Sequence, residues 1–270
     1  MRNYWFDHHV HTNDSPDADK EATMTRYIKR ASELNMAGVV FTDHLDLDTP
    51  VKLFQDIIDY TRYHKHFLEV QKNSSIPIRM GIEIGYQPHL NNALNALLGR
   101  VPFDFVICSM HVTDGLDYYN GDFFLGKTQD EAYMRYFESV LEAVNRYDNY
   151  DVFGHLDYII RYGGYETKDY AIDRYEAIIK EILNVIVRNQ KGLEINTSGF
   201  RYGLGVTHPK ITVLKWFKEL GGKIVTLGSD AHKVDDLAAD FDKAVAILKE
   251  VGFTKIATFK QRKVSFIEII

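Results

Sequence analysis

One cysteine, six prolines and no long apolar run mark this 270-residue chain first by what it lacks. A lone thiol, Cys108, excludes a disulfide scaffold and a thiolate-built metal site, and reads as a small core residue. No stretch approaches the roughly 20 apolar residues of a membrane span. No Pro-, Gly- or Ser-rich linker and no break in composition divides the chain, so one domain is expected over residues 1–270. Basic charge is scarce as well: 32 Lys and Arg face 38 Asp and Glu, a net −6 with His neutral. That balance, with no Lys/Arg cluster, argues against binding to nucleic acid. Polar residues within Met1–Asp7 and no apolar run after them argue against a signal peptide, and a soluble cytoplasmic protein is expected. What is present is a 45% apolar fraction, enough for a core and too much for low-complexity disorder.

Short β-branched apolar segments alternate with longer amphipathic ones. Strands are expected at Tyr4–His11, Gly38–Thr42, Ile76–Ile84, Phe103–Ser109, Asp151–Gly154, Gly192–Asn196 and Lys223–Gly228, with a weaker one near Lys255–Phe259. Helices are expected at Ala22–Leu34, Val51–Lys72, Leu90–Leu98, Gln129–Asn145, Tyr170–Asn189, Lys210–Leu220 and Asp236–Val251. Repeated strand–helix alternation implies a parallel sheet, because each crossover needs a helix. A closed α/β barrel fits best, and an open doubly wound sheet is the alternative.

Ionisable residues follow the apolar part of nearly every strand: His9 and His11, Asp43 and His44, Glu83, His111, His155 and Asp157, Glu194, Asp230 and His232. In a parallel barrel those ends converge on one face, where catalytic groups sit. Residues two apart on a strand point the same way, so His9 pairs with His11 and Asp230 with His232. Imidazoles joined by carboxylates from neighbouring strands make a metal site of mixed N and O ligands. Taken singly, each histidine is an ordinary polar residue. His8, opposite in parity, is expected to face the helices, and His64, His66, His89 and His208 read as structural or solvated. The other six histidines all stand at strand ends, and that shared placement carries the metal reading.

The stretches Asp7-His8-His9-Val10-His11-Thr12, Phe41-Thr42-Asp43-His44, Gly81-Ile82-Glu83, Ser109-Met110-His111, Gly154-His155-Leu156-Asp157 and Gly228-Ser229-Asp230-Ala231-His232 resemble, in order, the motifs of the PHP (polymerase and histidinol phosphatase) superfamily. Within it, Pro102–Ile107, Phe153–Tyr158, Leu193–Thr197 and Gly221–Gly228 resemble the histidinol-phosphate phosphatases of PHP type. The resemblance implies a single distorted (β/α)7 barrel whose metal site, at the C-terminal ends of the strands, holds three divalent ions (zinc, manganese, iron or cobalt). Carried over, His9, His11, Glu83 and Asp230 would hold the first ion, and Glu83, His111 and His155 the second. Asp17, His44 and His232 would hold the third, with Asp14 the nearest alternative to Asp17.

The implied activity is hydrolysis of a small phosphate monoester, histidinol phosphate in histidine biosynthesis, by attack of a metal-bridging hydroxide. Three carboxylates leave such a site cationic until a phosphate arrives. Asp230 and His232 are candidates to manage the proton, though they rank as ligands first. Arg161 is the expected grip on the phosphoryl oxygens, where charge sits in the transition state. Relatives of this type place a further Arg directly after the Glu-Ile-Asn-Thr strand. Here Ser198-Gly199-Phe200 stands there, so either Arg201 reaches in from a longer loop or the contact is missing. Ser229 is a candidate phosphate donor beside Asp230. Asp7 and Asp157 share parity with ligand histidines and are expected to orient them, Asp157 alternatively orienting Arg161; Asp43 reads as a loop or capping residue. The Asp114–Lys127 stretch is expected to cross the barrel mouth. Its Tyr118, Tyr119, Phe123 and Phe124 either stack on substrate or form a satellite core. Two other readings compete: a phosphoesterase acting on nucleotides or nucleic-acid ends, disfavoured by charge, and a non-enzymatic module with a structural cluster, disfavoured because a structural site needs only about four ligands. The sequence is silent on oligomeric state.

Overall fold

The computed structural model describes residues 4–55, 57–166 and 171–270. Seven parallel staves close into a barrel. In chain order they are β1 (Phe6–Val10), the interrupted stave β2 (Gly38–Phe41) plus β3 (His44–Leu45), β4 (Ile78–Gly85) and β5 (Phe105–Ser109), then, past the small antiparallel hairpin of β6 (Val112–Thr113) and β7 (Leu116–Asp117), β8 (Val152–Phe153), β9 (Gly192–Asn196) and β10 (Val225–Gly228). Around the sheet the order is β2-β1-β10-β9-β8-β5-β4-β3, and pairing of β2 with β4 closes the ring. The open doubly wound alternative is thereby excluded.

Alternation along each strand builds two cores. Val39, Phe41, Ile82, Ile84, Val106, Cys108, Leu193, Ile195, Val225 and Leu227 face outward into the main helix–sheet core. Phe6, Val40, Phe105, Ile107 and Val152 point inward and fill the barrel's N-terminal end. The weak strand expected near Lys255 is not a stave. It is β11 (Lys255–Lys260), paired antiparallel with β12 (Lys263–Glu268), and its Ala257 and Phe259 plug that inner core from below.

The helices are α1 (Met24–Glu33), α2 (Tyr60–Lys72), α3 (Asn91–Leu98), α4 (Gln129–Arg146), α5 (Glu176–Arg188), the short α6 (Ser198–Arg201), α7 (Ile211–Glu219) and α8 (Phe241–Val251). Three start later than the spacing suggests, each for a local reason. The Asp59 side chain accepts from the N–H groups of Thr61 and Arg62 and caps α2 there, leaving only a 3-10 turn at Lys52–Phe54 upstream. Tyr170 lies outside the described residues, and a 3-10 turn at Ile172–Tyr175 precedes α5. Before α8, Ala238 and Asp240 adopt left-handed backbone, which helix cannot continue through. No helix among the described residues is long and apolar enough to cross a membrane.

One irregularity in β1 sets the site. Asp7 is in register with Val39 and Val10 with Phe41, so β1 carries one residue more than its partner. This β-bulge breaks strict alternation. His8 consequently faces the barrel interior rather than the helices: its Nδ1 lies 2.9 Å from the Phe6 carbonyl and its Nε2 3.1 Å from the Thr258 hydroxyl of the plug. Burial, with repulsion from Arg79, pushes its pKa down to about 3, so it stays neutral.

Candidate metal centre

At the opposite end of the barrel, carboxylates and imidazoles from six staves converge on the floor of a cavity of about 420 Å³. Glu83, inward on β4 and 1% exposed, lies at the centre. Its two oxygens face different histidines. Oε2 is 3.3 Å from His9 Nε2, 3.6 Å from His11 Nε2 and 3.0 Å from His44 Nδ1. Oε1 is 2.9 Å from His155 Nε2 and 3.4 Å from His111 Nε2, and accepts the Ser109 hydroxyl at 2.6 Å. Asp230 Oδ1 stands 3.7 Å from His9 Nε2 and 3.5 Å from His11 Nε2. Its left-handed backbone, φ 56°, is one that Asp tolerates better than most residues and turns the chain sharply as β10 ends. Asp17 reaches in from the loop after β1, 3.0 Å from His232 Nε2 and 3.7 Å from His44 Nε2. Of Asp17 and Asp14, it is Asp17 that lies against imidazoles of the site.

Potential ligand atoms lie within 4.8 Å of one another in four overlapping sets: His11, His44, His232; His9, His11, Glu83; His44, Asp46, His111; and Glu83, His111, His155. His9 Nε2, His11 Nε2 and Glu83 Oε2, one of these sets, are buried there with no hydrogen-bond partner. Buried polar atoms are rarely left so, and several converging on one point suit a cation. The electrostatics agree. Burial favours protonated carboxyls, yet His9, His111 and His44 hold Glu83 well below its usual range, and His9, His11, His232 and Arg161 do the same for Asp230. Burial disfavours charge on His111, but Asp46 and Glu83 prevail and lift it to about 10. His11 goes the other way, lowered by burial and by His232 and His44.

Arg161 and Arg201 line the same cavity. Arg161 closes a 3-10 turn after His155. It packs over the rings of Tyr202 and Tyr158 at 3.8 and 4.8 Å, donates to Ser198 Oγ at 2.6 Å and sits 3.4 Å from Asp230 Oδ2. Arg201 ends α6; its Nη2 donates to the carbonyls of Ser229 and Asp230 at 3.0 and 2.8 Å, and its Nη1 is buried without a partner.

Several expectations are corrected. Ser229 is fully buried and its hydroxyl donates to Asp7 Oδ2 at 2.5 Å, so it has no proton left for a phosphate. Asp7 orients no ligand imidazole, because the bulge turns it away from His9's ring. It takes N–H groups of Ser229, Ala238 and His9 instead and ties β1 to β10. Asp157 accepts from His208 Nδ1 at 2.7 Å and from the Lys210 N–H at 2.9 Å, tying the turn after His155 to the segment before α7. Asp43 does more than shape a loop. It is buried and accepts from Thr12, Tyr63 and Ser15, and the Ser15 hydroxyl sits 3.2 Å from His11 Nδ1. Of the loop aromatics, Tyr118, Phe123 and Phe124 are neither on the substrate side nor a satellite core: they join the main core, where Tyr118 packs on Tyr136, and Tyr119 alone of the four lines the cavity. His64 and His66 lie on α2, and His89 pairs with Asp48, all away from the site.

Two residues went unassigned in the sequence. Glu194 Oε1 holds His9 Nδ1 at 2.6 Å, and Asp46 Oδ1 holds His111 Nδ1 at 2.7 Å. Parity carried a signal for both: Glu194 is flanked by outward Leu193 and Ile195, and Asp46 stands two residues after His44.

A closed parallel barrel with such a cluster at the C-terminal strand ends is the setting of a metal-dependent hydrolase. The PHP domain profile matches residues 7–198, and the chain belongs to the PHP domain family. Among individual proteins, it is 33% identical over 266 residues to the histidinol-phosphatase of Lactococcus lactis subsp. lactis strain IL1403, spanning 96% of this chain and 95% of that one. The crystal structure of histidinol phosphate phosphatase from the same organism, complexed with zinc, L-histidinol and phosphate, matches with a TM-score of 0.90 at 31% identity, over 97% of this chain and 98% of that one. A Listeria monocytogenes structure, TM-score 0.75 at 18% identity over 88% of this chain and 99% of its own, shares the fold.

Proposed function

We propose that this chain is a metal-dependent phosphomonoesterase that hydrolyses L-histidinol phosphate to L-histidinol and phosphate, acting in the cytoplasm as one domain spanning residues 1–270. The observation that carries the reading is the placement of Glu83, with one oxygen toward His9 and His11 and the other toward His111 and His155. A carboxylate so placed suits two neighbouring ions. His9, His11, Glu83 and Asp230 are the proposed ligands of one, and Glu83, His111 and His155 of the second. Asp17, His44 and His232 are those of a third. Zinc, manganese and iron all suit this donor set, and the zinc in the Lactococcus structure favours the first.

When bound, such ions polarise phosphoryl oxygens and lower the pKa of water to near neutrality. The remaining work falls to the chain. Arg161 and Arg201 supply cationic donors at the cavity wall for the phosphoryl oxygens. The tyrosines packed against Arg161 and its contact with Asp230 hold it in one orientation before substrate arrives. Asp230 thus has two tasks, ligation through Oδ1 and orientation of Arg161 through Oδ2. The Nδ1 of His232 lies 3.0 Å from the Asp230 carbonyl, which leaves Nε2 for ligation rather than for proton transfer.

Phosphate release from histidinol phosphate, a mononucleotide and a single-stranded oligonucleotide, with and without added Mn²⁺ or Zn²⁺, tests the reading. Metal-dependent turnover of histidinol phosphate far above the other two is the expected result. Preference for a nucleotide or an oligonucleotide would overturn the substrate assignment.

A further inference from the structure

The two unassigned carboxylates share one construction. Glu194 lies on β9 and its partner His9 on β1, with β10 between them in the sheet. Asp46 follows β3 and its partner His111 follows β5, with β4 between them. In each case a carboxylate reaches across the intervening strand to a histidine two staves away. In each case the residue it passes over is a glycine. A Cβ on Gly228 would lie 2.0 Å from Glu194 Oε1 and 2.8 Å from His9 Cβ. A Cβ on Gly85 would lie 1.9 Å from Asp46 Oδ1 and 3.2 Å from His111 Nδ1. Neither glycine has positive φ, so space and not backbone freedom requires it.

Resting on the metal-site reading above, we propose that Glu194 and Asp46 are positioning residues, seated over Gly228 and Gly85, that fix the Nδ1–H tautomer of His9 and His111 and so commit Nε2 of both to the metal. A carboxylate only accepts, so a bonded imidazole nitrogen carries a proton, and in the neutral ring that a metal ligand must be the other nitrogen keeps its lone pair. Those free nitrogens are the ones that face Glu83, at 3.3 Å for His9 and 3.4 Å for His111. The pair at Glu194 is further constrained. Its Oε2 accepts from the His155 N–H at 2.8 Å and from Asn196 Nδ2 at 3.2 Å. In Glu194→Gln an amide nitrogen at Oε2 would confront both donors, so it takes the Oε1 place and donates to His9 Nδ1. That substitution then drives the proton to Nε2, the nitrogen meant for the ion.

The test compares wild-type, Glu194→Gln, Asp46→Asn, Gly228→Ala and Gly85→Ala proteins. Zn²⁺ affinity is measured by competition with a chromophoric chelator, and imidazole tautomers by ¹⁵N NMR of the Zn²⁺-loaded protein, where the ligand rings are neutral. Disturbing such partners typically costs about 10- to 100-fold in metal affinity, and a loss in that range is expected for both carboxylate variants, with metal-free melting unchanged. The His9 tautomer should invert in Glu194→Gln and stay as in wild type in Asp46→Asn. The glycine variants should repeat the affinity losses; should they not fold, the carboxylate variants decide. Wild-type affinity and tautomers in both carboxylate variants would overturn the proposal. A wild-type protein that binds no Zn²⁺ would defeat the metal-site reading and the proposal with it, a result distinct from unchanged affinity in the variants.

Discussion

Arg161 and Arg201 differ in what holds them. Arg161 is clasped by tyrosines and Ser198, with Nε buried and unpartnered, while Arg201 holds two carbonyls through one nitrogen and leaves Nη1 free. Charge-assisted bonds of this kind are worth about 1.5–3 kcal/mol, or about 10- to 150-fold in rate. Arg161→Ala should therefore lower kcat/KM on histidinol phosphate by that factor, and Arg161→Lys should recover only part, lacking the planar two-pronged donor. Arg201→Ala should show a loss of similar size; a change within about twofold, below the energy of one such bond, would remove Arg201 from phosphate binding and leave Arg161 in place. Glu83 carries more than either. It faces histidines on both sides, and His44 stands on one. Glu83→Ala should accordingly lose more bound metal than His44→Ala when both are analysed for elemental content, and the reverse order would speak against a shared ligand.

Among the elements, β1 and the terminal hairpin decide how the barrel is filled. The single extra residue in β1 allows His8, His9 and His11 all to point inward, the first to the plug and the others to the site. The hairpin supplies what seven staves cannot fill from their own side chains at the N-terminal end. Phe259 is 3% exposed against Phe105, whose ring centroid lies 5.0 Å away. Truncating a buried Phe typically costs about 3–5 kcal/mol, so Phe259→Ala should lower the denaturant midpoint by a matching amount. The site lies at the other end of the barrel. Zn²⁺ stoichiometry of the folded fraction should therefore remain that of wild type, and its loss would show that the plug and the site are coupled.

At the scale of the whole molecule, the site is a knot of charge held by strands far apart in sequence, from His9 to His232. Carboxylates gathered this closely repel one another unless cations lie between them. Exhaustive chelation should abolish turnover, and the divalent ion should restore it. Because the ions bind the folded chain, removing them should also lower Tm, and Tm should climb with free metal concentration above Kd. Full activity in protein shown by elemental analysis to be metal-free would sink the site assignment entirely.

Strand–helix alternation, the parallel class of the sheet and the gathering of six histidines at strand ends are properties of local pattern, and the sequence alone determined them. Period-2 and period-3.6 spacing depend on neighbours in the chain, and the motif order made the PHP likeness legible before any coordinate. Only the tertiary structure decided what depends on residues distant in sequence. Closure required β2 to meet β4. The facing of Asp7 and His8 followed from an extra residue defined only against a partner strand. The burial of Ser229 on Asp7 and the seats of Glu194 and Asp46 over glycines two staves from their histidines depend on which strands lie side by side. Alternation within one strand predicts a side chain's face; it holds no information on what stands opposite, and the barrel's strand order supplies that.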